Sequence, residues 1–89
     1  MIDFDFVDWD EEDDPRGNTS HIAGNGLTRA EVEDVLYDPA NRPGVSHSPP
    51  HRPIVFGTTS TGRSIVVVYE RHKDGRYVVV RPVTAYDVG

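Results

Sequence analysis

Cysteine is absent from this chain, and no apolar run in it is long. Without cysteine the protein has neither a disulfide framework nor a thiolate metal site. No stretch reaches the roughly 18 apolar residues of a membrane helix. The first residues also lack the basic start and apolar centre of a signal peptide. We therefore expect a cytoplasmic protein with no membrane partner.

Basic residues are few, and their placement is uneven. The 89 residues include nine Lys and Arg against fifteen Asp and Glu, for a net charge of −6. Residues 1–38 hold twelve acids and two bases, a net of −10, whereas residues 39–89 hold seven bases and three acids, a net of +4. Such asymmetry suggests a polyanion-facing surface in the second half. Ordinary solvated surface in both halves is the alternative interpretation.

Large apolar residues are concentrated between Pro53 and Ala85. Three runs rich in Val, Ile, Tyr and Phe are separated there by polar breaks at residues 60–62 and 71–75, each containing glycine. β-branched and aromatic residues favour strands, and such breaks favour hairpin turns. The pattern predicts a three-strand antiparallel meander. In the middle run, the residues at both odd and even positions are apolar, so we expect both faces of this strand to be covered, or nearly so. Pro82 cannot donate a ladder hydrogen bond, so the last strand should have an edge or a bulge there.

The N-terminal half predicts one strand followed by one or two helices. Residues 2–9 alternate apolar and acidic, which is typical of a strand with Ile2, Phe4 and Phe6 on one face. Thr28 and Glu31 form a capping-box signal for a helix that Pro39 ends. A shorter helix is expected over residues 19–23. With the meander, these elements predict a single α+β domain over residues 1–89, with its helices on one face of the sheet.

Two polar segments are predicted to be loops. Residues 10–15 form an acidic run that cannot be buried, and residues 39–53, with five prolines, favour a stiff connecting loop. A metal site in the acidic run is the alternative, but calcium-loop spacing is absent. His47 and His51 lack a third zinc ligand. We expect neither a metal nor another cofactor.

Several short stretches occur in the order and spacing of a known family. They are Trp9-Asp10, Asn18, Gly26-Leu27, residues 31–39, Arg52, residues 57–59, Gly62-Arg63, residues 66–69 and residues 80–86. Taken together, these stretches resemble the BrnT family of small ribonuclease toxins, part of the RelE-like group of bacterial toxin–antitoxin systems. The resemblance covers most of the chain. Asn25 stands where the family commonly has histidine, and Tyr86 stands where it has arginine.

The resemblance implies a small RelE-like domain that cleaves mRNA without a metal or cofactor. Its implied partners are RNA as substrate and a cognate antitoxin, such as a ribbon-helix-helix protein. Cleavage needs a base for the 2′-hydroxyl proton, cations for the phosphorane and an acid for the leaving oxygen. Arginine suits the second role because its planar fork binds phosphate and stays charged. The candidate catalytic residues are Arg81, Arg52 and Arg63 as cations and His21 and Tyr86 as proton carriers.

We expect the three arginines to share one polar surface. Two alternatives to the endoribonuclease are a catalytically inactive RelE-like domain that serves as a protein-interaction module, and a small domain with no nucleic-acid role. The substitutions at Asn25 and Tyr86 favour the interaction module.

Overall fold

The fold is a mixed five-strand sheet with two helices, seen in a computed structural model that describes residues 2–89. The strands lie in the order β1-β5-β4-β3-β2, with β1 parallel to β5 and all other neighbours antiparallel. This arrangement confirms the predicted α+β class. Within residues 2–89, neither helix is long and apolar enough to cross a membrane. The elements in chain order are β1 (Phe6–Val7), α1 (Asn18–Gly24), α2 (Arg29–Tyr37), β2 (Arg42–Val45), β3 (Pro53–Thr58), β4 (Ser64–Asp74) and β5 (Tyr77–Asp87).

The predicted connecting loop over residues 39–53 contains a strand, so that prediction is wrong for Arg42–Val45. These four residues form β2, which pairs antiparallel with β3 and places Pro43 opposite Val55. All four are exposed because β2 is the outermost strand of the sheet. An edge strand tolerates proline, since one of its sides has no neighbour to receive an N–H. The meander therefore has four strands rather than three.

The hairpin between β4 and β5 is longer than predicted. Residues 71–74 were expected to break the strand, yet they extend β4 and pair with residues 77–80 of β5. The turn is at Gly75, whose φ of +61° favours glycine. Residues 71–74 are all exposed, so they carry none of the apolar pattern by which a buried strand is recognised.

The irregularity expected at Pro82 is a β-bulge. Tyr69 pairs with Pro82 whereas Val68 pairs with Thr84, which leaves Val83 as the extra residue of β5. The bulge prediction is thus confirmed. The Pro82 carbonyl oxygen is free of the ladder at this point and accepts a hydrogen bond from Asn18 of α1, at 2.9 Å.

The core lies between the two helices and one face of the sheet. Thr28 and Glu31 form the predicted capping box, which starts α2 and directs its apolar side to the sheet. Close approach of α2 to β3 requires Gly57, where an added Cβ would lie 2.8 Å from Val35 Cγ1. The buried residues of this core are Ile22, Leu27, Val32, Val35, Leu36, Val55, Ile65, Val67, Tyr69, Val80 and Ala85.

The other face of the sheet carries no helix, and we call it the open face. Residues paired across strands share a face. The pairs of β2 to β5 therefore form two rows on this face, Arg42–Phe56–Val66–Tyr86 and Gly44–Ile54–Val68–Thr84. The middle strand is expected to be covered, or nearly so, on both faces: Val66 is 2% exposed, and Val68 is half-buried.

β1 is shorter than predicted, and its alternation shifts within it. Asp5 bonds Val78 twice: its N–H donates to the Val78 carbonyl, and its carboxylate accepts from the Val78 N–H, both at 2.8 Å. The Asp5 carboxylate thus accepts the hydrogen bond that a backbone carbonyl oxygen would accept in a regular ladder. Phe6 lies on the exposed side and does not share a face with Ile2 and Phe4. The residues of this segment that pack against the core are Ile2, Phe4, Val7 and Trp9.

Gly57→Ala should destabilise the fold by roughly 1–3 kcal/mol, because the new methyl group overpacks the contact between β3 and α2. Urea unfolding measures this change. Gly44→Ala is the matched control, since its Cβ would lie 3.6 Å from Ile54 Cγ1, an ordinary contact distance. Equal stability of the two variants would show that α2 does not press on β3 as described.

Val67→Asp should prevent cooperative folding, because it places an unpaired charge in the core beneath the helices. Val68→Asp should leave a cooperative thermal transition, because Val68 is half-buried on the open face. Circular dichroism melts of the two variants test the assignment of faces. Loss of folding in both variants would indicate that Val68 on the open face is as deeply buried as Val67 in the core.

Candidate functional site

The predicted arginines do not share one surface, and Arg63 lies on the helix side. Its Nη1 donates to the Gly26 carbonyl oxygen at 2.8 Å and to a Glu31 carboxylate oxygen at 3.2 Å, and its Nε donates to Asp87 at 3.2 Å. The hydrogen bond to Asp87, together with Glu31, raises the pKa of Arg63. This guanidinium therefore ties the β3–β4 turn to α2 and to the end of β5, with its charge already neutralised.

Arg52 and Tyr86 lie elsewhere on the sheet. Arg52 comes one residue before β3, and its backbone pairs with Ser46 through bonds of 3.0 and 3.1 Å. Its side chain has no ion-pair partner among residues 2–89. Tyr86 lies in β5 on the open face and is 46% exposed. Neither side chain lines the cavity that His21 lines.

Arg81 is held by two carboxylates that precede α1. Its guanidinium binds Asp10 with two nitrogens, at 2.7 and 3.1 Å, and reaches Asp8 at 3.4 Å. The hydrogen bond from Arg81, with a further one from the Asn18 backbone, holds the pKa of Asp10 below its usual value. About a third of the Arg81 side chain is exposed, although its fork is occupied by Asp10.

Asn18 fixes this arrangement from the first turn of α1. It is 5% exposed, and its side-chain NH2 group donates to the carbonyl oxygens of Asp8 and Pro82, at 3.0 and 2.9 Å. Its Oδ1 accepts from the Asp10 N–H, and its own N–H donates to the Asp10 carboxylate, both at 2.9 Å. One buried amide thus joins α1, the acidic segment and the bulge of β5. The alignment of Asn18 with the BrnT pattern was the sole sequence signal for it.

The candidate site is the cleft between α1 and β5, which has a volume of about 190 Å³. It brings His21 and Arg81 together although sixty residues separate them in the chain. Arg16 and Glu70 also line it, and sequence reasoning missed both. Glu70 pairs with Arg81 in the register of β4 and β5, so only the bulged strand pairing could have indicated it. The complete lining is Arg16, Gly17, Asn18, His21, Glu70, Arg81, Pro82 and Val83.

Gly17 allows the acidic segment to lie against the start of α1. A Cβ at this position would lie 2.6 Å from the Asp10 Cβ, closer than two such atoms can approach. The conformation of Gly17 is extended and open to any residue, so the requirement is for space rather than for a special φ. A side chain here would push Asp10 away from Arg81.

The chemistry of the α1–β5 cleft suits a phosphate group. Two guanidinium groups, against one lining carboxylate from Glu70, can bind its oxygens, and histidine is the side chain that exchanges protons near neutral pH. Among residues 2–89, no three histidine or acidic side chains are placed so that they could hold a metal ion. Asp10 occupies the fork of Arg81, so a phosphate must displace it or share the fork with it.

Two larger grooves suit an anion less well. One of about 550 Å³ lies between α2 and the end of β3, and its acids, Glu33, Asp34 and Asp38, repel a phosphate. The other, of about 450 Å³, lies between α1 and α2. Its one arginine, Arg29, already donates to the Thr19 hydroxyl and to the Asp10 carbonyl oxygen, both at 3.1 Å.

No protein-family model matches this sequence, and a search of curated proteins finds no match.

Asp10→Asn should lower the melting temperature at pH 7 and have progressively less effect below about pH 4. The folded pKa of Asp10 lies below its unfolded value of roughly 3.9, so the ion pair stabilises the fold above that pH and is lost as pH falls through the folded pKa. Calorimetry between pH 7 and pH 2 measures the difference. Asp13→Asn, an exposed member of the same acidic run, is the control. A deficit for Asp10→Asn of the same size at pH 3 and pH 7 would exclude the ion pair as its cause.

Proposed function

We propose that this protein is the toxin of a type II toxin–antitoxin pair and acts as a metal-independent mRNA endoribonuclease in the cytoplasm. The observation that carries the proposal is the meeting of His21 and Arg81 in the α1–β5 cleft. A cation and a proton carrier at one solvent-accessible position are two of the three groups that such cleavage requires. The partner would be a cognate antitoxin that blocks access to RNA.

In this proposal the RNA phosphate binds the guanidinium fork of Arg81, with Arg16 as a second cation at the cleft. His21 accepts the proton of the 2′-hydroxyl, whose oxygen attacks the phosphorus atom. The bond from phosphorus to the 5′ oxygen breaks, and that oxygen takes up a proton from the surrounding water. The products are a 2′,3′-cyclic phosphate and a 5′-hydroxyl. Arg81 acts by stabilising the negative charge that develops on the phosphorane.

Asp10 sets the threshold for this binding. Its carboxylate holds Arg81 at 2.7 Å when no RNA is present and takes the position of a phosphate. Both are anions that accept two hydrogen bonds from one guanidinium. RNA must therefore bind more tightly than Asp10 binds Arg81. It can do so because several of its phosphates contact the protein, whereas Asp10 offers a single carboxylate.

A second candidate is a non-catalytic interaction module of the same fold, and two observations favour it. Arg63 and Arg81 both already have carboxylate partners. Asn25, at the position where the BrnT family commonly has histidine, has a structural contact: its NH2 group donates to the Ala85 carbonyl oxygen at 3.0 Å. In this alternative the arginines hold the fold together and contact no phosphate.

Purified protein should cleave single-stranded RNA in EDTA and leave cyclic phosphate ends, with a rate that falls as salt rises. Arg81→Ala should lower the rate on the order of a hundredfold or more, and His21→Ala by at least about tenfold. Labelled RNA resolved on denaturing gels measures both. His47→Ala and Arg76→Ala are matched controls, because both residues are exposed and lie outside the cleft.

The two candidates differ in their outcomes. Neither cleavage nor growth arrest on expression, from protein shown to be folded, would exclude the nuclease, and retained partner binding would then favour the interaction module. Cleavage that survives Arg81→Ala unchanged would place the chemistry outside the α1–β5 cleft.

A further inference from the structure

Two aromatic rings lie exposed on the open face, in one row across the sheet. Phe56 of β3 and Tyr86 of β5 flank Val66 of β4 in the register. Phe56 is 38% exposed and Tyr86 46% exposed, whereas Val66 between them is 2% exposed. We define the open-face patch as six residues of the two rows, five apolar or aromatic and one threonine: Ile54, Phe56, Val66, Val68, Thr84 and Tyr86.

Two arginines lie at the β2–β3 side of the open-face patch, and one acid, Glu70, lies beyond Val68 on the same face of β4. Arg42 extends the Phe56 row into β2, and Arg52 comes two residues before Ile54, just ahead of β3. Neither arginine forms an ion pair with any of residues 2–89. The two rows contain no Asp or Glu. The open face thus carries positive charge, although the net charge of the chain is −6. Twelve of the fifteen acids precede residue 39.

A second copy of the chain fits this face poorly. Two open faces packed together would bring Arg42 and Arg52 of both copies into one interface, where like charges that lose their water are unfavourable. Pairing through the free edge of β2 is also hindered, because Pro43 has no N–H to donate. The face instead fits an anion that carries flat apolar groups.

Single-stranded RNA is such an anion. Its unpaired bases stack on aromatic side chains, and its phosphates pair with arginine. We infer that the open-face patch binds single-stranded RNA, with bases on Phe56 and Tyr86 and phosphates at Arg42 and Arg52. This deepens the proposed function and rests on it for the identity of the polyanion.

The open-face patch is continuous with the α1–β5 cleft. Glu70 follows Val68 on the same face of β4 and pairs with Arg81, so Arg81 lies on the open face of β5 together with Tyr86. At about 3.3 Å per residue, the two are roughly 15 Å apart along the strand. An RNA strand that crosses the patch therefore leads toward Arg81, and the patch selects strands whose bases are not paired.

The test is binding of a fluorescent single-stranded 2′-O-methyl RNA, which lacks the 2′-hydroxyl needed for cleavage, measured by anisotropy. Phe56→Leu removes the ring and keeps apolar bulk, so it should weaken binding on the order of tenfold. Arg42→Gln should reduce the slope of log affinity against log salt by about 0.7, the value for one phosphate contact on a single strand. Double-stranded RNA of the same length should bind both the wild type and Phe56→Leu equally and weakly.

Matched controls separate the ring and the charge from general effects. Tyr37→Leu removes an aromatic residue of α2 that is 57% exposed, and Lys73→Gln removes a charge at the far end of β4. Both should bind as the wild type does. Far-ultraviolet circular dichroism and melting temperature establish that each variant is folded.

The outcomes distinguish this inference from the proposed function. If neither the wild type nor any variant cleaves RNA, but Phe56→Leu binds the single strand more weakly than the wild type does, the nuclease proposal fails and the patch assignment stands. If Phe56→Leu and Tyr86→Leu bind the single strand as tightly as the wild type, the patch assignment is overturned, whatever the cleavage rate. Equal binding of single and double strands would also overturn it, since charge alone would then explain the affinity. A dimer in sedimentation that Phe56→Leu disperses would assign the patch to a second copy.

Discussion

The buried amide of Asn18 is the contact on which the arrangement of the candidate site depends. It bonds the backbone of Asp8, Asp10 and Pro82 and so joins α1 to β5 and to the acidic segment. A buried amide that loses its partners is costly, which gives this junction a single low-energy arrangement. His21 lies one turn later on α1 and Arg81 one residue before the bulge. Their shared cleft is therefore a consequence of how Asn18 satisfies its hydrogen bonds.

Two of the arginines are neutralised by carboxylates, and two others are available to a partner. Carboxylates of the N-terminal segment and α2 neutralise Arg81 and Arg63. The open face keeps Arg42 and Arg52 unpaired among residues 2–89 and places no acid in the two rows beside them. In the proposed function this division brings RNA to the sheet first, and the phosphate then competes with Asp10 for Arg81. Ionic strength should weaken the first step more than the second, because exposed charges are screened more strongly.

Features that depend on local sequence were predictable, and those that depend on distant contacts were not. The capping box at Thr28 and the bulge at Pro82 follow from the chemistry of single residues, and both were expected. β2 and the outer half of β4 were missed because exposed strands need no apolar pattern. The face of Phe6 was wrong because the Asp5 side chain replaces a backbone group opposite Val78. The lining of the cleft by Arg16 and Glu70 is set by the packing of α1 on a bulged strand, which no local pattern encodes.

In the proposed function Arg81 binds the RNA phosphate in the α1–β5 cleft, and His21 lies beside that phosphate as the base for the 2′-hydroxyl proton. The most direct measurement is a nuclear magnetic resonance titration of isotope-labelled protein with a short single-stranded 2′-O-methyl RNA, following the Arg81 Nε–H and the His21 ring. We expect both signals to shift with the same dissociation constant, and the Asp10 carboxylate carbon to shift with them as its contact is displaced. Shifts confined to residues outside the cleft, with the Arg81 and Asp10 signals unchanged at saturation, would contradict the account.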